Sequence, residues 1–283
     1  MDKYLSIIKN LISKEEFRAI FLKRRIQFDR QSIKKGTESP YYEEGWELYK
    51  EFKTKTQIQK IKPIGRFFED EVWCTFSKLG FDEMNKTSSF KISKKYTKEG
   101  ERTKQIDVFM KDDDSVIVVE CKATKEKGKK KYFSPIIEEI SGMRSGIGQT
   151  IKEHYGNKNL SIGWVIATKN YNWTEDDKKF AKKKGVAVFT DVEIEYFNDL
   201  FKQVGTSAKY QLLAKVFPNK KIKSMSLEVP AIKYSNAKSK FYSFGIEPEK
   251  LLKLSYVAHR SSTMDSNVEQ YQRMFKKDKL NEL

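Results

Sequence analysis

Three residues in the middle of this chain have the types and spacing for one piece of chemistry. Asp107 lies in the strand-like run KQIDVFM (104–110), and Glu120 and Lys122 lie in the run SVIVVECKAT (115–124). Side chains alternate faces along a strand, so Glu120 and Lys122 point one way and Cys121 the other. The tetrad Lys111-Asp112-Asp113-Asp114 reads as the turn of a hairpin. If that hairpin centres between Asp113 and Asp114, Asp107 faces Glu120 across the strands, and such pairs are ~5 Å apart. Two carboxylates and a lysine would then converge on one accessible cleft.

A polar cluster in a strand otherwise written VIVVE is costly, because unpaired buried charges cost several kcal/mol each. A hard divalent cation relieves the repulsion between the acids. Mg²⁺, or Mn²⁺ in its place, takes oxygen ligands and keeps waters, one of which can become a nucleophile. The lysine can orient or deprotonate that water, or neutralise charge on a phosphate in the transition state. These residue types suit metal-assisted phosphodiester hydrolysis, with Asp107 and Glu120 as the metal ligands. An edge-strand Asp and a surface Glu–Lys pair produce the same letters, so the surrounding elements must carry part of the argument.

Those elements arrive in a consistent order. GRFFEDEVWCTFSKLGF reads as an amphipathic helix that buries Phe68, Val72, Phe76 and Leu79, carries Glu69 and stops at Gly80. SSFKISKKYT (88–97), KQIDVFM and SVIVVECKAT are three strands. Ile136, Ile140, Met143, Ile147 and Ile151 predict a helix over about 134–155. LSIGWVIATKN (160–170) is an apolar strand, and TEDDKKFAKKKG is a helix with Thr174 as its N-cap. VAVFTD (186–191) is a buried strand and VEIEYFNDLFKQV (192–204) a helix. The expected fold is therefore α/β, with a mixed central sheet flanked by helices.

The succession helix-Glu69, Asp107, Glu120-Cys121-Lys122 resembles the PD-(D/E)xK superfamily of restriction and repair nucleases over about 65–191. The resemblance implies a restriction-endonuclease-like core, Asp107 and Glu120 as metal ligands, Lys122 as the catalytic lysine and Glu69 as the helical acid that completes the site. Ile106 stands where the name-giving proline would be. Some relatives carry a Gln and a Tyr on the helix after the site. Here Gln149 and Tyr155 are six residues apart, roughly 240° around an ideal helix. Gln149 remains an accessory candidate, and Tyr155 reads as a polar helix end.

Residues 1–60 are expected as a helical N-terminal region, with apolar stripes at Ile7, Ile8, Leu11 and Ile12 and at Phe17, Ile20, Phe21 and Leu22, and a further helix around Trp46, Leu48 and Tyr49. Pro63 and Gly65 mark a boundary with a nuclease-like domain over 61–204. Residues 205–283 read as incomplete, a helix followed by irregular sequence. In that part FYSFGIEPEKLLKLSYVAHR (241–260) and EQYQRMF (269–275) resemble the beginning of DGQHR-domain proteins, relatives of a regulator of DNA phosphorothioate modification. The DGQHR signature itself is absent. The resemblance implies either a DGQHR domain downstream in a longer chain or a short member of that family, and a role in defence or modification-linked restriction.

The chain of 283 residues carries 56 Lys+Arg against 39 Asp+Glu, a net charge of +17. Such a surplus favours polyanions through counterion release, although an AT-biased genome writing lysine on every solvated face gives the same composition. Lys125, Lys127, Lys129, Lys130 and Lys131 follow the ECK strand directly and suit contact with a phosphate backbone. Two cysteines are too few for a disulfide framework and fit a reducing cytosol. No apolar run approaches the ~20 residues of a membrane span, and the N-terminus does not read as a secretory signal. His154 and His259, the only histidines, lack partners for a zinc site. The sequence thus points to a cytoplasmic, Mg²⁺-dependent DNA endonuclease, with homo-oligomerisation left open. A non-catalytic DNA-binding or regulatory module on the same fold is the alternative, and RNA is not excluded as substrate.

Overall fold

The structure is a computed structural model that describes residues 10–94, 102–218, 229–235, 239–248 and 251. Its centre is a six-stranded mixed sheet. In chain order the strands are β1 (Leu11–Ser13), β5 (Glu83–Asn85), β8 (Val108–Asp112), β9 (Ser115–Ala123), β11 (Ser161–Lys169) and β13 (Ala187–Phe189), and they lie side by side in that order. The first four pair antiparallel, and β9, β11 and β13 are parallel. β9 sits between an antiparallel and a parallel neighbour with helices on both faces. That placement explains its almost uninterrupted β-branched run, since a strand covered on both sides has no solvent face to mark with polar residues.

Helix α3 (Ile64–Ser77) packs on one face, burying Phe68, Val72 and Phe76 against Val108, Ile117, Val119 and Cys121. Gly80 ends the segment after it with φ +79°, a conformation that favours glycine. Helices α6 (Asp191–Val204) and α7 (Ala208–Val216) join the same layer through Ile194, Phe197, Leu200, Leu212 and Leu213. Helix α4 (Ser134–His154) covers the opposite face, with Ile137, Ile140, Met143, Ile147 and Ile151 against Phe109, Val116, Val118 and Ile166. Helix α5 (Glu175–Lys183) adds Ala181 to that layer. Its N-cap Thr174 accepts the Asp177 N–H at 3.1 Å, as the sequence predicts. The α/β fold with a mixed sheet between helices is the expected one.

The N-terminal region differs from expectation. Its described residues hold a helix of eight residues, α1 (Phe17–Arg24), a short α2 (Ser39–Glu43), and a separate antiparallel sheet of β2 (Phe28–Lys34), β4 (Lys55–Ile61) and β3 (Glu47–Glu51). Trp46, Leu48 and Tyr49 therefore stand at and in a strand, not in a helix. Lys, Glu, Gln and Arg dominate this stretch and favour helix, but the alternation of Thr56 and Ile58, both buried, against Gln57 and Gln59 satisfies a sheet. Leu11 and Ile12 belong to β1, at the edge of the central sheet, and Ile7 and Ile8 lie outside the described residues. α1 packs on α3, where Phe17 meets Trp73 edge-on at 5.8 Å.

The run 104–110 is two strands, not one. β7 (Arg102–Gln105) pairs with β6 (Lys91–Lys94) in a small hairpin, and the chain then bends at Ile106–Asp107 into β8. Among the remaining elements, β10 (Lys129–Lys130) pairs with β12 (Tyr171–Asn172), and β14 (Ile232–Ser235) with β15 (Lys240–Ser243). The segment 269–275 and most of 249–260, including His259, lie outside the described residues. No helix among the described residues is long and apolar enough to cross a membrane.

Candidate functional site

The β8–β9 hairpin has the register expected from the sequence: Asp112 faces Ser115 across a two-residue turn, and Val108 faces Val119. Asp107 stands one step beyond the ladder, in line with Glu120. The bend there is held by Asn85. Its side-chain amide donates to the Asp107 carbonyl at 3.0 Å and its side-chain oxygen accepts the Phe109 N–H at 2.9 Å. These are backbone groups that β5 would otherwise pair, so the strand can turn without leaving them unsatisfied. The Asp107 carboxylate is thereby free to cross to β9, where Oδ2 accepts the Cys121 N–H at 2.7 Å. Asn85 is fully buried and no signal in the sequence distinguishes it from an ordinary turn residue.

Around this hydrogen bond the charges gather. Lys122 Nζ donates to Glu120 Oε1 at 2.6 Å, and Lys104 Nζ lies 3.6 Å from Glu120 Oε2 and 2.8 Å from Glu139 Oε1. Burial, then the charge of Glu120, raises Asp107 to about 6, against the Cys121 hydrogen bond and Lys122. Glu69, on α3, is raised to about 7 by burial first and then by the charges of Asp107 and Asp70. Burial works against the Lys122 ammonium, but the charge and hydrogen bond of Glu120 outweigh it, and its pKa is raised. The structure thus brings Glu69, Asp107, Glu120 and Lys122 into one electrostatic group and adds Lys104, which sequence reasoning missed because its partner Glu139 is 35 residues away.

The group is less open than the sequence suggests. Asp107 is 7% exposed, and no part of the group lines the cleft of about 920 Å³ found elsewhere in the molecule. Among the described residues no three His, Cys, Asp or Glu side chains are close enough together to hold a metal ion. The donor set nevertheless fits a cation that retains water. Mg²⁺ is commonly held by one or two carboxylates, and burial first, then the charge of Glu120, raises the proton affinity of Asp107.

Gln149 is not part of the group. It donates to Glu153 Oε1 at 2.9 Å and lines the 920 Å³ cleft. On α4 it lies ten residues past Glu139, roughly 15 Å along the axis. Tyr155 donates to Glu83 Oε2 at 2.9 Å, which accounts for it as a helix end bonded to β5. Of the lysine run, Lys125, Lys127, Lys129 and Lys130 are exposed and Lys131 is half-buried. Lys129 reaches Glu126 at 3.6 Å and Lys131 sits over the Tyr171 ring. Trp173 stacks on Phe133 at 3.9 Å and donates to Thr168, and Trp164 is buried. Cys74 and Cys121 are buried free thiols.

No protein-family description and no curated protein matches this chain. Among solved structures it is similar to the protein VC1899 from Vibrio cholerae, with 11% identity and a TM-score of 0.34 over 69% of this chain and 52% of that one. It is also similar to Can2 from Sulfobacillus thermosulfidooxidans, solved in complex with cyclic tetra-adenylate, with 13% identity and a TM-score of 0.29 over 66% of this chain and 50% of that one. The chain spans about half the length of each. At these scores the likeness assigns neither family nor chemistry, and the reading of the site rests on its own residues.

A second ionic group borders Glu69. Asp70 shares its two oxygens between Arg24 at 3.0 Å and Lys62 at 2.6 Å, all three side chains being buried. Arg24 also donates to the Lys86 carbonyl and lies over the Trp73 ring, and Lys62 donates to the Arg24 carbonyl. One acid thus joins α1, the end of β4 and α3.

Proposed function

We propose that this chain hydrolyses phosphodiester bonds in DNA, with Mg²⁺ or Mn²⁺ held by Asp107 and Glu120. One observation carries the reading: the Cys121 N–H holds the Asp107 carboxylate on β9 between Glu120 and Lys122. A fixed acid pair beside a lysine has no structural need that a single ion pair would not meet. The bound cation would supply Lewis-acid activation of the phosphoryl group and of the attacking water. Glu120 can offer its oxygens to a cation only when Lys122 and Lys104 release it, so substrate phosphate is the natural competitor for both lysines. Lys122, with its raised pKa, remains an ammonium at neutral pH. Its role is therefore to neutralise charge developing on the phosphate, not to deprotonate water. Glu69, raised to about 7, can take up or return a proton near neutral pH. Lys125, Lys127, Lys129, Lys130 and Lys131 would hold the flanking backbone.

A second reading has its own observation. Glu120 is already engaged by two lysines, as in a purely structural ion network, and this favours a non-catalytic DNA-binding or regulatory module. Incubating plasmid with the protein, with and without Mg²⁺ or Mn²⁺, separates the two. Metal-dependent cleavage that falls with Lys122→Ala supports hydrolysis. Binding without cleavage under either metal leaves the regulatory module.

A further inference from the structure

We infer that the open face of the three-stranded sheet β2–β4–β3 binds single-stranded DNA. The inference rests on the reading of DNA as the substrate, and assigns that substrate a second point of attachment. The two faces of this sheet are unlike. Thr56 and Ile58 of β4 point to the covered face, where Thr56 donates to Glu38 of the α2 segment at 2.5 Å. Residues two apart share a face, and the register places Arg30, Ser32 and Lys34 opposite Gln59, Gln57 and Lys55 on the other side. Lys50 faces Gln57 from β3 and Glu47 faces Gln59.

The β3 register shifts between Leu48 and Lys50, leaving Tyr49 as an extra residue. A bulge of this kind re-aims a side chain. Here it sets the Tyr49 ring under Arg30, whose guanidinium carbon lies 3.7 Å from the ring centroid. Lys50 extends over Phe52 at 5.1 Å. Arg30, Lys34, Tyr49, Lys50, Phe52 and Lys55 are all exposed.

Charge selects the partner. The face carries four cations, Arg30, Lys34, Lys50 and Lys55, against the single acid Glu47, and among the described residues none of the four is in an ion pair. Lys34 and Lys55 are directly opposite one another, an arrangement that destabilises a sheet unless an anion lies between them. A second copy docking through this same face would bring the same cations to it and be repelled. A polyanion meets the charge, and an unpaired strand also meets the rings, because its bases can stack on aromatic side chains and on guanidinium planes. A duplex offers only its phosphates here. The seven residues of β4 extend roughly 20 Å, about the length of six stacked nucleotides at ~3.4 Å each.

The sheet is also tied to the candidate site. Lys62, which follows β4 directly, is the buried cation bonded to Asp70, the neighbour of Glu69. A strand held on the sheet is held by an element bonded, through Lys62 and Asp70, to the middle of α3 one residue from Glu69.

The test uses the full chain in EDTA, so that binding is read without cleavage, with a fluorescein-labelled single-stranded DNA of about 20 nucleotides followed by anisotropy. Arg30→Ala/Tyr49→Ala should weaken binding about 10-fold or more, as expected when stacking is removed, while binding of the same sequence as a duplex changes far less. Lys34→Gln/Lys55→Gln should lower the slope of log affinity against log salt by about 1.4, at ~0.7 for each phosphate no longer neutralised on a single strand. All four side chains are exposed, so an unchanged thermal midpoint checks that the fold is kept. Parental affinity in both double variants overturns the inference, as does an equal weakening on single and double strands. A parental dimer that Arg30→Ala/Tyr49→Ala converts to monomer overturns it in favour of a self-interface. If the parent never cleaves DNA, the nuclease reading falls and this binding result stands apart from it.

Discussion

Asp107 accepts the backbone N–H of Cys121 at 2.7 Å, so a side chain at a strand's bent end is bonded to the midpoint between Glu120 and Lys122. The bond replaces the ladder pairing that a regular strand would have given Asp107. It is possible because Asn85 takes over the backbone groups on either side of the bend. The Asp107 carboxylate is thus placed on β9 by main chain, whereas the Glu120 carboxylate is held by the side chains of Lys122 and Lys104.

Asp107→Asn and Lys122→Ala should separate metal binding from chemistry. In the parent, Mg²⁺ should raise the thermal midpoint by mass action. Asp107→Asn should abolish both that rise and cleavage, because it removes a ligand charge at nearly constant shape. Lys122→Ala should keep the rise and reduce cleavage by roughly 10²-fold or more, the order found on removing one preorganised transition-state donor. Differential scanning fluorimetry beside a plasmid assay reads both. Full cleavage by Asp107→Asn would place the metal elsewhere.

Stability in EDTA should fall as pH rises from about 4.5 to about 7. Glu69 has its ordinary value of 4.5 when unfolded and about 7 when folded. Between these values the folded chain holds a proton that the unfolded chain has released, so raising the pH favours unfolding. Asp107, raised from 3.8 to about 6, acts in the same direction over its own window. Glu69→Gln should flatten the upper part of the profile. Thermal midpoints measured across this range test it, and a profile unchanged by the substitution would mean that Glu69 does not titrate there.

Asp70→Ala should destabilise the fold by about 3–5 kcal/mol, the usual cost of breaking a buried ion pair from one side. Two buried cations, Arg24 and Lys62, depend on this single acid. Urea denaturation followed by circular dichroism measures the destabilisation. A change under about 1 kcal/mol, the range of exposed ion pairs, would show that water reaches both cations.

Replacing Lys125, Lys127, Lys129, Lys130 and Lys131 by Ser should weaken duplex DNA binding and reduce its salt dependence by ~0.9 in log–log slope for each phosphate no longer neutralised. Lys129 and Lys131 already have partners in Glu126 and Tyr171. The total reduction should therefore fall short of the value for five phosphates. An unchanged slope would mean that the run is a solvated loop.

The sequence by itself determined the α/β order, because apolar periodicity is local. The helix of Phe68, Val72 and Phe76, the run VIVVE and the turn at Asp113–Asp114 each declare their element within a few residues. Once the turn is placed, pairing by twos puts Asp107 in line with Glu120. Three relations depended on interactions between distant segments, and only the tertiary structure decided them. Residues 28–61 are rich in helix formers, yet form a sheet because Thr56 and Ile58 find a covered face. Asn85 and Lys104 join the candidate site through partners 22 to 35 residues away. The burial that raises Asp107 and Glu69 exists only when α3 is laid on the sheet, since desolvation belongs to the packed fold and to no single stretch of chain.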